Sequence, residues 1–143
     1  MAGKFELKVL SPSRQLVSQT VTAVILPGTA GYMTILPDHA AMIAELDIGE
    51  VTVRLPGGAG PETYFISGGY VEVDHNKVVV LADVIERAHE IDIQRAQDAR
   101  KRAAERLAAL RADVDIDRAN RSLRRADMRL LIAEAMAKLA RNF

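Results

Sequence analysis

The chain has 143 residues, with 19 Lys+Arg balancing 19 Asp+Glu and no Cys, which is room for one average domain or for a compact domain with an appendage. The missing Cys excludes disulfides, thiol catalysis and cysteine metal sites. No charged, apolar leader opens the sequence and no run of eighteen apolar residues interrupts it, so neither a cleaved secretion signal nor a membrane span is expected.

From Lys4 to about Ala82 the chain consists of short β-branched and apolar runs punctuated by Gly, Pro and Asp. Strands are predicted near 5–10, 21–26, 33–36, 42–46, 51–55, 63–67, 70–73 and 77–82, a spacing that suggests an all-β sandwich or barrel. Phe5, Leu7 and Val9 alternate with Lys4, Glu6 and Lys8, as a half-buried strand requires. The run Val78 to Leu81 shows no alternation and reads as a strand covered on both faces. Pro56-Gly57-Gly58-Ala59-Gly60-Pro61 reads as a mobile hairpin loop and Asp74-His75-Asn76 as a turn. Residues 26–40, with two Gly and two Pro, read as a shaped, rigid surface loop. Gly28-x-x-Gly31 is not a phosphate loop, because no Lys-Ser/Thr and no helix follow it.

Catalytic signals are weak. Asp38-His39 and a distant Ser67 resemble fragments of a hydrolase triad, but Ser67 lacks a Gly-x-Ser-x-Gly elbow. His39, His75 and His89 have no metal-ligand spacing, so no metal site is expected. The acids Glu45/Asp47 and Glu72/Asp74 read as solvated strand faces. These residues make no strong case for an enzyme.

Residues 92–143 differ in texture: they hold none of the nine Gly or five Pro, and thirteen of the 52 are Ala, the strongest helix former. Two helices are predicted, because Ile91-Asp92-Ile93-Gln94-Arg95-Ala96 is echoed by Val114-Asp115-Ile116-Asp117-Arg118-Ala119, each with an Asp placed as an N-cap. Asp113 and Asp115 mark the turn between them. The second helix offers a seam at Ile116, Ala119, Leu123, Ala126, Leu130, Ala133, Ala137 and Ala140, and the first at Ala96, Ala99, Ala103, Leu107 and Leu110. Seams so poor in large residues hold weakly, since an Ala methyl contributes only about 0.8 kcal/mol on burial against roughly 1.5–3 for a Leu. Charge is also divided: residues 1–91 hold 6 Lys+Arg and 11 Asp+Glu, residues 92–143 hold 13 and 8. The basic tail seeks an acidic protein surface or a nucleotide; Asp98, Glu105, Asp127 and Glu134, dispersed among the cations, speak against nucleic acid.

The fold class expected is therefore an all-β sandwich N-terminal domain followed by an α-helical antiparallel hairpin, α+β overall, with domains at 1–84 and 92–143 and a charged connector at 85–91. Leu26-Pro27-Gly28-x-x-Gly31, Ile35-Leu36-Pro37-x-His39-Ala40, Ser67-Gly68-Gly69-Tyr70-Val71-Glu72-Val73 and Val78-x-Val80-Leu81-Ala82-Asp83, followed by the two-helix tail, together resemble the epsilon subunit family of bacterial rotary ATP synthases. The resemblance spans nearly the whole chain in order. It implies a non-catalytic rotor subunit whose sandwich joins the gamma subunit and the c-ring. Its hairpin lies folded or extends to acidic segments of the beta (and alpha) subunits and inhibits ATP hydrolysis. The implied location is peripheral, on the cytoplasmic face of the bacterial plasma membrane, with membrane association only through the complex.

By the same resemblance, Thr29, Ala30, Gly31, Tyr32 and His39 face the c-ring, although Tyr32 stands where many relatives carry an acidic or other polar residue and Thr34 where they carry Gly. Arg118, Arg121, Arg124 and Arg125 form the inhibitory basic face. No cofactor is required, but Ile91-Asp92-x-x-Arg95-Ala96 fits a motif of relatives that bind regulatory ATP on the folded hairpin, with Glu86, Asp92, Arg95, Arg125 and Arg129 as the contacts. The plainer alternatives are that the helical hairpin is permanently docked, that Asp92 only caps its helix, and that the chain is a stand-alone adaptor for an acidic partner.

Overall fold

The computed structural model describes residues 3–109 and 115–142, and the chain divides into two compact units, Met1–Glu86 and Arg87–Phe143. The strands are β1 (Phe5–Ser11), β2 (Arg14–Val21), β3 (Ala23–Gly28), β4 (Gly31–Ile35), β5 (Met42–Arg54), β6 (Glu62–Asp74), β7 (Lys77–Ala82) and β8 (Ile85–Arg87). They run in the order β2-β1-β7-β6-β5-β3-β4, with β8 also on β6. All neighbours are antiparallel in the main path except β1 and β7, which run parallel from Glu6↔Lys77 to Leu10↔Leu81.

The sandwich is made by β5 and β6, which pair from Met42↔Val73 to Val53↔Glu62 and bend together near Asp47 and Gly68. One half of the pair carries β7, β1 and β2; the other half carries β3 and β4. Leu7, Val24, Leu26, Ile35, Val53 and Ile66 are among the wholly enclosed side chains between the two layers. At the bend Gly69 has φ +132, and a Cβ there would collide with the Leu81 carbonyl oxygen.

Eight strands were expected and eight are found, but they are not the same eight. The predicted strands at 42–46 and 51–55 are one strand, as are 63–67 and 70–73, because the Asp47-Ile48-Gly49 and Gly68-Gly69 breaks are bends within continuous ladders. β2 was not predicted: its sequence is mostly polar, and it is held at the sheet edge by its backbone register with β1, burying Val17 and Val21. The connector at 85–91 contains β8 and a 3-10 turn, Ala88–Glu90, and it buries Ile85, Ala88 and Ile91. Val78 to Leu81 does alternate after all, with Val78 and Val80 inward and Leu81 51% exposed. The 26–40 segment is a turn, then β4, then a second turn, rather than one loop.

The second unit holds α1 (Ile93–Ala109) and α2 (Ile116–Arg141), which form a hairpin. Asp92 caps α1, its Oδ1 accepting the Arg95 amide at 3.0 Å, and Asp115 caps α2 in the same way from Arg118. The buried residues are Ala96 and Ala103 on α1 and Ala119, Ala126, Leu130, Ile132 and Ala133 on α2. Ile116, Ala137 and Ala140 of the predicted seam are exposed, since α2, with 26 residues against 17, overhangs its partner. Leu110 and Asp113 lie outside the described residues. Among the described residues no helix is long and apolar enough to cross a membrane.

Gly69→Ala forces a left-handed backbone and a collision with β7, so the full chain should lose at least about 2 kcal/mol in urea unfolding. A change within 0.5 kcal/mol of the parent, roughly the scatter of neutral surface substitutions, would show that the bend yields without strain.

Candidate functional site

Of the residues predicted to contact a partner through the sandwich, the structure groups four and separates one. Thr29 and Ala30 form the β3–β4 turn, closed by Gly28↔Gly31 and steadied by the Thr29 amide donating to the Glu45 carbonyl at 3.2 Å. Tyr32 is 59% exposed, yet its hydroxyl accepts the Glu50 amide at 3.1 Å. Its ring therefore lies back toward β5 over Gly49, where any Cβ would meet Pro27 at 2.5 Å and the Tyr32 hydroxyl at 2.8 Å. Gly49 was not singled out from sequence, because only the β3–β5 pairing brings Pro27 near it.

His39 is at the opposite end of β4, a strand of five residues and so about 16 Å long. Its amide donates to Leu36 carbonyl at 3.2 Å and its Nδ1 sits 2.7 Å from the Ala40 carbonyl oxygen. This second turn is pinned by Asn76, whose Oδ1 accepts the Asp38 amide and whose Nδ2 donates to the Lys4 carbonyl, both at 2.8 Å. Thr29, Ala30, Gly31 and Tyr32 thus form one rigid projection and His39 belongs to another.

In the hairpin, Arg100 Nε binds Asp127 Oδ1 at 2.8 Å across the two helices. That pair lines an open groove of about 380 Å³ together with Gln97, Lys101, Ala104 and Leu123. The groove identifies one flank of the hairpin, and the helical turn of about 100° per residue then assigns the other. Arg95 on α1, and Arg118, Arg125 and Arg129 on α2, fall on the flank opposite the groove. Arg125 Nη2 donates to Ser122 Oγ at 3.0 Å. Partial burial, then repulsion from Arg129, Arg121 and Arg118, lowers the Arg125 pKa below the ordinary arginine value. Arg124, one helical step from Arg125, is turned toward the outer side and is not among the cations acting on it. Glu86 lies in β8, in the sheet unit. Among the described residues no cluster of His, Asp and Glu could hold a metal.

Residues 4–88 match the family described as ATP synthase, Delta/Epsilon chain, beta-sandwich domain, and residues 89–134 match its long alpha-helix domain. The epsilon chain of Moorella thermoacetica ATP synthase is 40% identical over 134 residues, covering 94% of this chain and 99% of that one. The Desulfitobacterium hafniense (strain Y51) epsilon chain is 40% identical over 142 residues, covering 99% and 100%. This chain belongs to the ATP synthase epsilon family. The stand-alone adaptor alternative is thereby set aside, as is the hydrolase triad: an epsilon subunit is a non-catalytic part of the synthase. The fold of an epsilon chain also agrees with a solved structure of Euglena gracilis mitochondrial ATP synthase, in which a chain 22% identical superposes with TM-score 0.79, covering 92% of this chain and 81% of that one.

For an epsilon chain carrying the Asp92-x-x-Arg95 motif, the structure gives Asp92 one definite task, as a helix cap. Asp92→Ala should lower the thermal stability of α1 by about 1 kcal/mol while Asp92→Asn leaves it nearly unchanged. Equal losses in circular dichroism melts would mean that the charge, not the cap, is what Asp92 provides.

Proposed function

We propose that this epsilon chain is a rotor subunit of the central stalk, coupling proton-driven rotation to ATP synthesis and restraining ATP hydrolysis with its C-terminal hairpin. The sandwich holds the gamma subunit and the c-ring, presenting the Thr29–Tyr32 projection to the ring. The complex carries it at the cytoplasmic face of the bacterial plasma membrane. A solved relative of the same fold was described together with F1 and the c-ring, which supports this placement.

The observation that carries the regulatory half is the pairing of a thin seam with a loaded flank. Of the seven buried residues on the two helices five are Ala, each contributing little on burial, so the hairpin is lightly held. A closed form and an extended form can then differ by a gap that a ligand reverses. In the extended form Arg118, Arg121 and Arg125, with Arg124 beside them, meet acidic segments of the beta subunits. In the closed form Arg95, Arg125 and Arg129 converge on a nucleoside triphosphate, with Asp92 beside them. ATP bound only to the closed form stabilises it by linkage and relieves inhibition.

Two measurements test this. Truncation after Glu90 in the assembled synthase should leave assembly intact and raise ATP hydrolysis several-fold; unchanged hydrolysis would show that this tail does not inhibit. In calorimetry of the isolated subunit, Arg125→Ala should weaken ATP binding by about tenfold or more, as expected for a lost charge-assisted contact. Absence of ATP binding by the parent chain would remove the nucleotide from the scheme and leave the inhibitory role standing.

A further inference from the structure

The projection from Gly28 to Tyr32 is attached to β5 where the β3–β5 ladder is broken. Pairing runs from Ala23↔Arg54 to Ile25↔Thr52 and resumes at Gly28↔Leu46, so Leu26 and Pro27 stand opposite the whole stretch from Asp47 to Val51. The β5–β6 ladder stays in step through the same stretch, from Leu46↔Gly69 to Val51↔Tyr64. The gap therefore belongs to the β3 side of β5, where Pro27 has no amide to donate.

Tyr32 closes this gap. It is the cross-strand partner of Pro27, which puts the two side chains on one face, and its hydroxyl reaches past Pro27 to accept the Glu50 amide at 3.1 Å. A backbone donor that finds no acceptor on β3 is thus satisfied by a side chain from β4. Gly49 leaves the room for it: a Cβ there would stand 2.5 Å from Pro27 Cβ and 2.8 Å from the Tyr32 hydroxyl. With Tyr32 59% exposed, packing restrains the ring little and the hydroxyl bond is what holds it. The Thr29 amide, donating to the Glu45 carbonyl at 3.2 Å, ties the tip of the projection to the other side of the same bend. Two ties to β5, at Glu45 and Glu50, fix both the position of the turn and its tilt; one alone would leave a hinge.

We propose that Tyr32 is a positioning residue for contact with the c-ring: its hydroxyl, by supplying an acceptor that β3 does not, sets the tilt at which Thr29 and Ala30 are presented. This rests on the reading that the projection meets the ring. A turn held in its contact geometry before docking loses little conformational entropy on being ordered there. Pro27 and Gly49 are the other parts of the device, Pro27 opening the gap and Gly49 admitting the hydroxyl.

The chain has no native Cys, so Ala30→Cys carries a single photo-cross-linker at the tip of the projection in the assembled synthase. With Tyr32 intact the label should reach the c-ring. Adding Tyr32→Phe should lower the ring adduct roughly three- to tenfold, the effect of one lost hydrogen bond, at equal epsilon content of the complex and equal melting temperature of the isolated chain. Tyr70→Phe, the same change on a tyrosine that is 55% exposed elsewhere on the sandwich, should leave the adduct unchanged. In the isolated full chain, Tyr32→Phe should speed hydrogen exchange of the Glu50 amide at least about tenfold. An unchanged adduct, unchanged Glu50 exchange, an equal loss in Tyr70→Phe or a parallel fall in melting temperature would each overturn the positioning role, while ring labelling with Tyr32 intact would leave the ring contact standing. A label that reaches another subunit with Tyr32 intact would instead overturn the ring contact itself, and the positioning role with it.

Discussion

The hairpin of this epsilon chain depends on methyl-to-methyl contact between alanines. Five buried alanines on two helices contribute on the order of 0.8 kcal/mol each, and Leu130 and Ile132 are the only large side chains buried with them among the described residues. Small side chains have two consequences at once. They make the pair easy to part, and they let the two backbones approach closely. A Leu-based seam would have fastened the hairpin more firmly and set the helices further apart.

The sandwich is built on the opposite principle. Tyr64, Phe65, Leu7, Leu26, Ile35 and Ile66 are fully enclosed, and the two long strands β5 and β6 pass through both layers, so neither layer can shift without breaking a continuous ladder. Its projecting turns are fixed by specific bonds, Tyr32 to the Glu50 amide and Asn76 to Asp38 and Lys4. The rotor role proposed above asks for both properties, a fixed sandwich and a lightly fastened helical pair.

The caps at Asp92 and Asp115, the alternation of Phe5, Leu7 and Val9, the turn at Asp74 to Asn76 and the alanines buried on the two helices were all legible in the residues themselves, because each is a local signal. What was not legible depends on distant partners. A Gly68-Gly69 pair looks the same whether it ends a strand or bends one, and only its pairing with β5 and closeness to Leu81 decide. β2 has too few apolar residues to announce itself and is a strand because β1 offers it a free edge. The resemblance groups the projection at Thr29 to Tyr32 with His39, and β4 lies between them. Arg118, Arg125 and Arg129 could be grouped from one helix, whereas the flank they share with Arg95 is assigned only once the Arg100–Asp127 pair shows how α1 lies along α2.

The central claim is that the alanine seam must open for the hairpin to act. The chain has no native Cys, so Ala103→Cys/Ala126→Cys places one thiol on each side of the seam for a disulfide across it. ATP hydrolysis by the assembled synthase should then be restrained when this pair is reduced and released when it is oxidised. Equal hydrolysis in the two redox states, with the disulfide verified, would contradict the account.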